Sequence, residues 1–405
     1  MNLGVIGYGS RISGVIRGFI LPLDGSVRIA AICDPRKDAI RTAMGKDGER
    51  ITFYDDPDAM LDKESLDGVL VGTRCNLHTP MALKVMARNL PLYLEKPVAV
   101  TMEQVQALAA ASQAYTAGCV VSFPLRLTPL VQRAKQLILD GAIGKLEHVQ
   151  AVNNVPYGSG YFGSWYRDFD VTGGLFQQKA THDIDYISYL AEDRPRLVAA
   201  MLSRGRVFGG DKPVGLRCKA CDRYETCPES PFWKYRKLGQ GKDVGPGVPR
   251  EIGEDHLCCF GSDIRNKHGQ CDEDSSSCLI EFDSGLQAVY TQNFFVRREA
   301  GSRGATLVGY DGTIKFDWYT NKLTLIRHHV AEVSVSDYKD EGGHGGGDLE
   351  LGYEFLRAMK GERETRSPLS AGIRSAITCL ICRMSGEQHA YLKVPTIEEL
   401  AAKGK

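Results

Sequence analysis

"VIGYGSRISG", Val5 to Gly14, follows a short apolar run and leads straight into a helical pattern. Gly7 and Gly9 stand where a strand-to-helix turn must be tight and where backbone must come close to a pyrophosphate. The third glycine of that pattern is absent: Ile12 takes its place, and the next glycine is Gly14. A lone turn of this kind serves as readily for structure as for binding, so its surroundings decide what it means. Gly7, Gly9, Ser10, Arg11 and Ile12 are the first candidate cofactor contacts.

A second strand pattern, "AAICDPR", ends at Asp34, at the interval where a carboxylate accepts hydrogen bonds from a ribose 2′-hydroxyl. An acid there favours NAD over NADP. Arg36 could stack on adenine or neutralise a 2′-phosphate, which keeps NADP open. Asp34 could equally cap the helix that follows Pro35.

From residue 3 to about 122 the strand patterns "LGVIGYG", "VRIAAICD", "ITFYDD", "LDGVLVGT", "LPLYLEKP" and "GCVVSF" alternate with helical ones such as Pro80 to Arg88 and Met102 to Tyr115. That order predicts an α/β fold with an N-terminal Rossmann, doubly wound parallel sheet over residues 1–122. Beyond Phe123 the pattern changes. A helix at Pro129 to Leu139, a strand at Lys145 to Val155 and a helix at Phe176 to Leu190 precede β-rich runs with turns at Asp283-Ser284-Gly285 and Asp311-Gly312. Residues 123–405 therefore read as an α+β domain with a largely antiparallel sheet, closed by helices at Leu349 to Lys360 and Ala371 to Glu387. Residues 205–275, rich in Gly, Pro, charge and Cys, form an insertion too long to stand without support.

The 405 residues carry 50 Lys plus Arg against 50 Asp plus Glu, with no long run of like charge, so a nucleic-acid footprint is not expected. No secretory signal and no eighteen-residue apolar run occurs, which points to the cytoplasm and away from the membrane. Small molecules are the expected partners.

"YLEKPVAV" places Glu95, Lys96 and Pro97 at the carboxyl end of the fifth strand, where open α/β sheets build their ligand crevice. An ammonium there can hold an alcohol or carbonyl oxygen and pass a proton; a surface ion pair with Glu95 is the plainer alternative. In "GGLFQQKATHDID", Gln178, Lys179 and His182 can share one helix face, with Asp183 and Asp185 following. A histidine oriented by a polar neighbour suits acid-base work on an alcohol, although a lone histidine is more often structural.

The glycine turn, Asp34, "NLHTP" with His78, "EKP", "GG" followed by "HDID", "GGHGGGDLELGYEFLRAM" and "SPLSAGIRSAITCLICRMS" occur in an order and spacing that resembles the glucose-fructose oxidoreductase, inositol dehydrogenase and MocA (Gfo/Idh/MocA) family across essentially the whole chain. The resemblance implies a nicotinamide enzyme of two domains, often a homodimer or homotetramer, with Lys96 and His182 as catalytic residues. It also implies a cis peptide before Pro97, and cofactor contacts from Thr73, Asn76, His78, Glu95, Lys96 and Pro97. Two departures stand out. Gln178 occupies the place of an acid, so Gln178, Lys179 and Asp185 are left as orienting or assisting residues, and "TRCNLH" replaces the commoner "TPNxxH".

Tyr161, Trp165 and Arg167 in "GYFGSWYRDF" are candidates for a substrate wall, or for a packed loop anchor. His344, in a glycine-rich loop, is a candidate substrate contact from a lid, or a flexible turn. Three thiols stand within ten residues, Cys218, Cys221 and Cys227 in "GLRCKACDRYETCPES". The resemblance extends to a fourth, Cys258 in "HLCCFGSD", with Cys259 and His256 as runners-up. Four thiolates suit a closed structural zinc site; an iron-sulfur cluster uses the same ligands, and reduced free cysteines are the alternative.

The expected function is hydride transfer between NAD(P) and a sugar or cyclitol hydroxyl or ketone, with Lys96 and His182 moving the proton. Two alternatives stand beside it: a redox-neutral NAD-dependent glycosidase acting through a 3-keto sugar, also implied by the resemblance, and a non-catalytic NAD(P)-binding sensor, suggested by Gln178 and Ile12.

Overall fold

The structure, a computed structural model, describes residues 1–233, 256–339, 344–362 and 364–403. Part of the Cys-rich stretch, residues 234–255, and the first part of the glycine-rich loop, residues 340–343, lie outside the described residues.

Strands β1 (Asn2–Ile6), β2 (Arg28–Cys33), β3 (Thr52–Tyr54), β4 (Gly68–Val71), β5 (Leu92–Leu94) and β6 (Cys119–Val121) form one sheet in the order β3-β2-β1-β4-β5-β6. Every pair in it is parallel. The strands are short and almost wholly apolar because both faces are covered, as a parallel sheet requires. On one face Leu3, Val5, Leu70 and Tyr93 pack with Leu351 and Phe355. Phe355 belongs to the helix Gly347–Met359, so a C-terminal helix returns to close the N-terminal sheet. Gly352 of that helix lies so near Phe19 that a Cβ would sit 2.0 Å from the Phe19 carbonyl oxygen.

The remaining strands are β7 (Leu146–Asn154), β8 (Pro195–Arg204), β9 (Glu273–Phe282), β10 (Gln287–Asn293), β11 (Ser302–Gly309), β12 (Gly312–Asp317), β13 (Lys322–Arg327), β14 (Val333–Asp337) and β15 (Leu392–Lys393). They make a nine-stranded sheet in the order β14-β13-β12-β11-β7-β10-β9-β8-β15. Only β7 and β10 run parallel; the other pairs are antiparallel. The helix Leu175–Ala191 contacts this sheet and is tied to the helix Leu369–Gln388, where Ser375 Oγ donates to the Thr181 carbonyl at 2.7 Å. Among the described residues no helix is long and apolar enough to cross a membrane.

The Cys-rich stretch owes its order to packing and backbone pairing. Phe208 stacks on Phe162 at 4.2 Å. The Asp274 carboxylate accepts from the backbone N–H groups of Arg206, Val207 and Phe208 at 2.6, 3.2 and 3.0 Å. Arg167 donates to the Cys258 carbonyl at 3.1 Å and pairs with Asp263.

Beside Asp274 stands Asp272, fully buried, with neither carboxylate oxygen hydrogen-bonded. Burial first, and then the neighbouring Glu273 charge, push its carboxyl well above the usual range. A carboxyl raised on folding opposes folding once the unfolded chain ionises, above about pH 4, and the penalty is absent below that. Asp272→Asn is therefore expected to raise Tm at about pH 8 and to leave it unchanged or lower at about pH 4. Thermal melts at the two pH values check this; equal shifts at both would contradict the protonated state.

Candidate active site

The site lies along the carboxyl ends of β1, β4 and β5, beside the point where strand order reverses from β1 to β4. Gly7 turns the chain out of β1 with φ of +82°, and a Cβ there would lie 2.7 Å from the Thr73 backbone nitrogen. At Gly9 a Cβ would meet nothing nearer than the Gly72 carbonyl oxygen at 4.0 Å, which leaves open space over the turn. Ile12 does not widen the helix-to-sheet spacing, because the small residue sits opposite. A Cβ on Gly72 would come within 2.7 Å of the Ile12 Cβ.

Asp34 is buried at the end of β2. Its Oδ2 accepts from Tyr8 N–H and its Oδ1 from Arg36 N–H, both at 2.8 Å. The carboxylate therefore holds the glycine turn and the following turn together. Arg36 is exposed and its Nε lies 3.3 Å from the same carboxylate. Ser10 opens the first helix at the surface.

Arg11, expected as a cofactor contact, has its side chain in an ion-pair network. Its guanidinium makes a two-point pair with Asp348 at 2.8 and 2.6 Å and reaches Glu95 at 3.1 Å and Ser122 at 3.2 Å. It is a strut joining the first helix, β5, β6 and the helix Gly347–Met359. Glu95 is correspondingly engaged by Arg11 and by the Ser122 hydroxyl at 3.0 Å.

Lys96 stands two residues beyond the end of β5, and the Lys96-Pro97 peptide bond is cis. Lys96 Nζ donates to the Gln178 carbonyl at 2.9 Å. Burial, reinforced by the Lys179 charge, lowers the Lys96 ammonium to about 7. His78 Nδ1 lies 2.7 Å from the Pro97 carbonyl and its Nε2 lies 3.2 Å from the Thr73 carbonyl, so it ties the Thr73–His78 loop to the lysine. Asn76 Oδ1, in the same loop, is buried without a hydrogen-bond partner.

The helix Leu175–Ala191 presents the opposite wall. Gly173 and Gly174 enter it at φ of +73° and +91°, and the Phe176 N–H donates to Glu273 Oε2 at 2.9 Å. A Cβ on Gly174 would lie 2.9 Å from that carboxylate, so a side chain there would displace the cap. His182 is buried, with Phe123 6.1 Å away edge to face and the His344 ring 6.0 Å away. Its Nδ1 and the Oε1 of Gln178 have no hydrogen-bond partner. Burial, then the charges of Lys96 and Arg303, hold the imidazole well below its usual range and hence neutral.

Lys179 is buried, and its Nζ donates to the Tyr157 hydroxyl at 2.8 Å. Tyr161 joins this group, its ring 6.2 Å from Tyr157 and 5.7 Å from the Lys179 ammonium. Trp165 stacks on Tyr166 at 3.9 Å and under the guanidinium of Arg74 at 3.7 Å, joining the Thr73–His78 loop to the second sheet's loops. His344 Nδ1 lies 2.9 Å from Asp348, and its ring stands 6.0 Å from that of His182.

Arg167, a candidate for the substrate wall or a loop anchor, is engaged by the Cys258 carbonyl and Asp263, the contacts of a loop anchor. Asp185 is bound by the buried guanidinium of Arg126, which takes both of its carboxylate oxygens. The metal clip is not assembled: among the described residues no three His, Cys, Asp or Glu side chains form a group able to hold a metal ion. Backbone does bring the stretches together, with Cys218 N–H on the His256 carbonyl and Cys258 N–H on the Leu216 carbonyl, both at 2.8 Å. The Cys221 thiol points to Asp222 Oδ1 at 3.4 Å, and burial, with the Cys221 and Cys227 thiols near, pushes the Cys258 thiol up.

Residues missed in the sequence are Tyr157, Arg303 and Asp348. Tyr157 follows β7 in "NNVPYGSGYFG", four residues before the aromatic already singled out. Arg303 holds Asp183 through two contacts of 2.9 Å. A buried aspartate in "HDID" demands a cation, but nothing local says which one.

The open turn at Gly9, the seated Asp34 and the unpartnered Asn76, Gln178 and His182 atoms fit a bound dinucleotide. Comparison with known proteins agrees. Residues 1–123 match the family described as "Oxidoreductase family, NAD-binding Rossmann fold", and residues 131–217 match the "GFO/IDH/MocA C-terminal domain". The rhizopine catabolism protein MocA of Rhizobium meliloti is 25% identical over 227 residues, 55% of this chain and 68% of that protein. The myo-inositol 2-dehydrogenase of Thermotoga maritima is 26% identical over 193 residues, 47% of this chain and 54% of that protein. A levoglucosan dehydrogenase solved in complex with NADH and levoglucosan shares the fold at a TM-score of 0.71 and 18% identity, covering 98% of this chain and 100% of that one. With both of its characteristic domains matched over more than half its length, the chain belongs to the Gfo/Idh/MocA family of NAD-binding oxidoreductases.

Proposed function

We propose that this protein transfers hydride between NAD and a secondary alcohol or ketone of a sugar or cyclitol, with Lys96 and His182 handling the proton. The observation that carries this reading is Lys96 itself. It is a lysine lowered to about 7, held by a backbone carbonyl at the carboxyl edge of the sheet and faced by a neutral histidine with a free ring nitrogen.

NAD, when bound, supplies the hydride acceptor. Gly7, Gly9 and the first helix would hold its pyrophosphate, Asp34 its adenine ribose, and the Thr73–His78 loop its nicotinamide side. In alcohol oxidation neutral Lys96 accepts the hydroxyl proton at Nζ, and the Gln178 carbonyl aims that nitrogen. His182 Nδ1 hydrogen-bonds the same oxygen and keeps it in line. Gln178, standing where an acid is usual, cannot exchange a proton; its amide can orient a substrate hydroxyl. Tyr161 and Trp165 offer apolar faces to a sugar ring.

The test is an assay with NAD and a panel containing myo-inositol, levoglucosan and glucose, read as NADH absorbance, with NADP as the comparison. The expected result is NADH formation with at least one of these polyols, rising with pH to a plateau above about 7 as Lys96 loses its proton. Tight NADH binding with no hydride exchange toward any polyol or its ketone would favour the sensor reading.

A further inference from the structure

One turn beyond His182, the residues Asp185, Ser188 and Glu192 of the helix Leu175–Ala191 and its C-terminal end line a cavity of about 220 Å³. Its other wall comes from Ser370 and Arg374, in the first two turns of the helix Leu369–Gln388, and Arg126 completes it. Two guanidinium groups thus line one cavity, and the acids beside them are already engaged. Arg126 is buried; its Nε and Nη2 take both oxygens of Asp185, and its Nη1 donates to the Arg366 carbonyl at 2.6 Å. Glu192 pairs with Lys135 at 2.9 Å. Arg374 is half-buried, and among the described residues its side chain makes no hydrogen bond or ion pair. Burial, and then the Arg126 charge, disfavour its cationic form more strongly than Asp185 favours it, and Arg194 and Glu398 add weaker, opposite effects. A guanidinium nevertheless keeps its proton at any ordinary pH, so the cavity holds a positive charge that lacks a counter-ion.

Other donors surround it. Among the described residues the hydroxyls of Ser188 and Ser370 have no hydrogen-bond partner. Pro368 precedes the helix Leu369–Gln388 without a side-chain cap, which leaves the positive end of a twenty-residue helix beside the same cavity. We propose that this cavity binds a phosphate group, that of inorganic phosphate or of a small phosphorylated sugar, through Arg374, Ser188, Ser370 and the start of that helix. A phosphate supplies the counter-charge that Arg374 lacks, and its oxygens accept from a guanidinium fork, from hydroxyls and from backbone N–H groups at once. The site is separate from the cleft of Lys96 and His182 and stands independently of the hydride-transfer reading. Ser375, which also lines the cavity, donates to the Thr181 carbonyl and so joins the two helices that the phosphate would bridge. Binding should therefore read as thermal stabilisation.

The test is a set of thermal melts and calorimetric titrations on the NADH-loaded protein, whose nucleotide-phosphate turn is filled. Sodium phosphate, glucose 6-phosphate and glucose are compared with sodium chloride at equal ionic strength. Phosphate and glucose 6-phosphate are expected to raise Tm at concentrations up to about 20 mM, whereas glucose and chloride leave it in place. Tighter binding of the ester assigns the site to a sugar phosphate, and equal binding assigns it to the free ion. Arg374→Met is expected to weaken phosphate binding at least about tenfold, and Arg374→Lys to weaken it less, because lysine keeps the charge and loses the fork. Ser188→Ala with Ser370→Ala leaves both arginines in place and is expected to weaken binding at least about threefold; it keeps the test readable if Arg374→Met fails to fold. A wild-type protein that phosphate and glucose 6-phosphate stabilise no more than chloride does overturns the proposal. So does wild-type affinity for phosphate in either Arg374→Met or the double serine variant.

Discussion

Lys96→Met should lower turnover about a thousandfold, within the range that a positioned acid-base group contributes, and at the same time raise Tm. The two effects share a cause. An unfolded lysine titrates near 10.4, whereas Lys96 in the folded protein titrates at about 7. The folded state therefore disfavours the charged form. Below about pH 7 the side chain is protonated in both states and the full penalty applies; between about 7 and 10 the folded protein sheds its proton and stability rises with pH. A neutral side chain of similar length removes the penalty, so the gain in Tm should be largest at about pH 6 and shrink by about pH 9. Melts across that range, paired with steady-state rates, check both halves. Unchanged turnover would remove Lys96 from the reaction. Lost turnover with a lowered Tm at every pH would mean that its hydrogen bond to Gln178 outweighs the charge.

Local features of the site were legible in the sequence because local backbone rules produce them. The Gly7 turn, the strand just before Lys96 and the helix carrying His182 all appear where periodicity and glycine spacing put them. What local rules cannot supply is the partner of a side chain. Arg11 lies in the glycine turn and reads as a cofactor contact, but its guanidinium pairs with Glu95 and with Asp348, 337 residues away. Asp185 is three residues from His182 and reads as its orienting acid, yet buried Arg126 takes both of its oxygens. The missing third glycine makes sense only once Gly72 is found opposite Ile12, because helix-to-strand approach depends on the pair and not on either residue. The cysteine spacing invites a metal, while the chain beside it is ordered by Phe162, Phe208 and the Asp274 carboxylate, which no spacing rule encodes. Strands β8, β14 and β15 escaped notice for a related reason. The first runs on from a helix without a strong turn signal, β14 is exposed along its whole length, and the last is two residues long.

Arg303→Met is the variant expected to disturb the whole site, since it removes the counter-ion of fully buried Asp183. The Asp183 carboxylate takes both guanidinium contacts from Arg303, together with Asn153 and the Tyr290 hydroxyl at 3.0 Å each. Breaking a buried pair from one side typically destabilises by about 3–5 kcal/mol, because the remaining charge is left uncompensated. The loss should therefore be much smaller in Arg303→Met with Asp183→Asn, where no charge remains, and this double variant keeps the test readable if the single one fails to fold. Arg303 also helps hold Lys96 and His182 in their neutral forms. Without its charge, the lysine should keep its proton to higher pH, so the rising limb of the oxidation profile moves up from about 7. The move should be larger when Asp183 is left ionised than when it is also neutralised. Denaturant melts measure the first effect and pH-rate profiles the second. A destabilised Arg303→Met protein whose limb stays in place would confine Arg303 to the fold, whereas a displaced limb in both variants would show that the ion pair beneath the cleft sets the pH at which Lys96 can act.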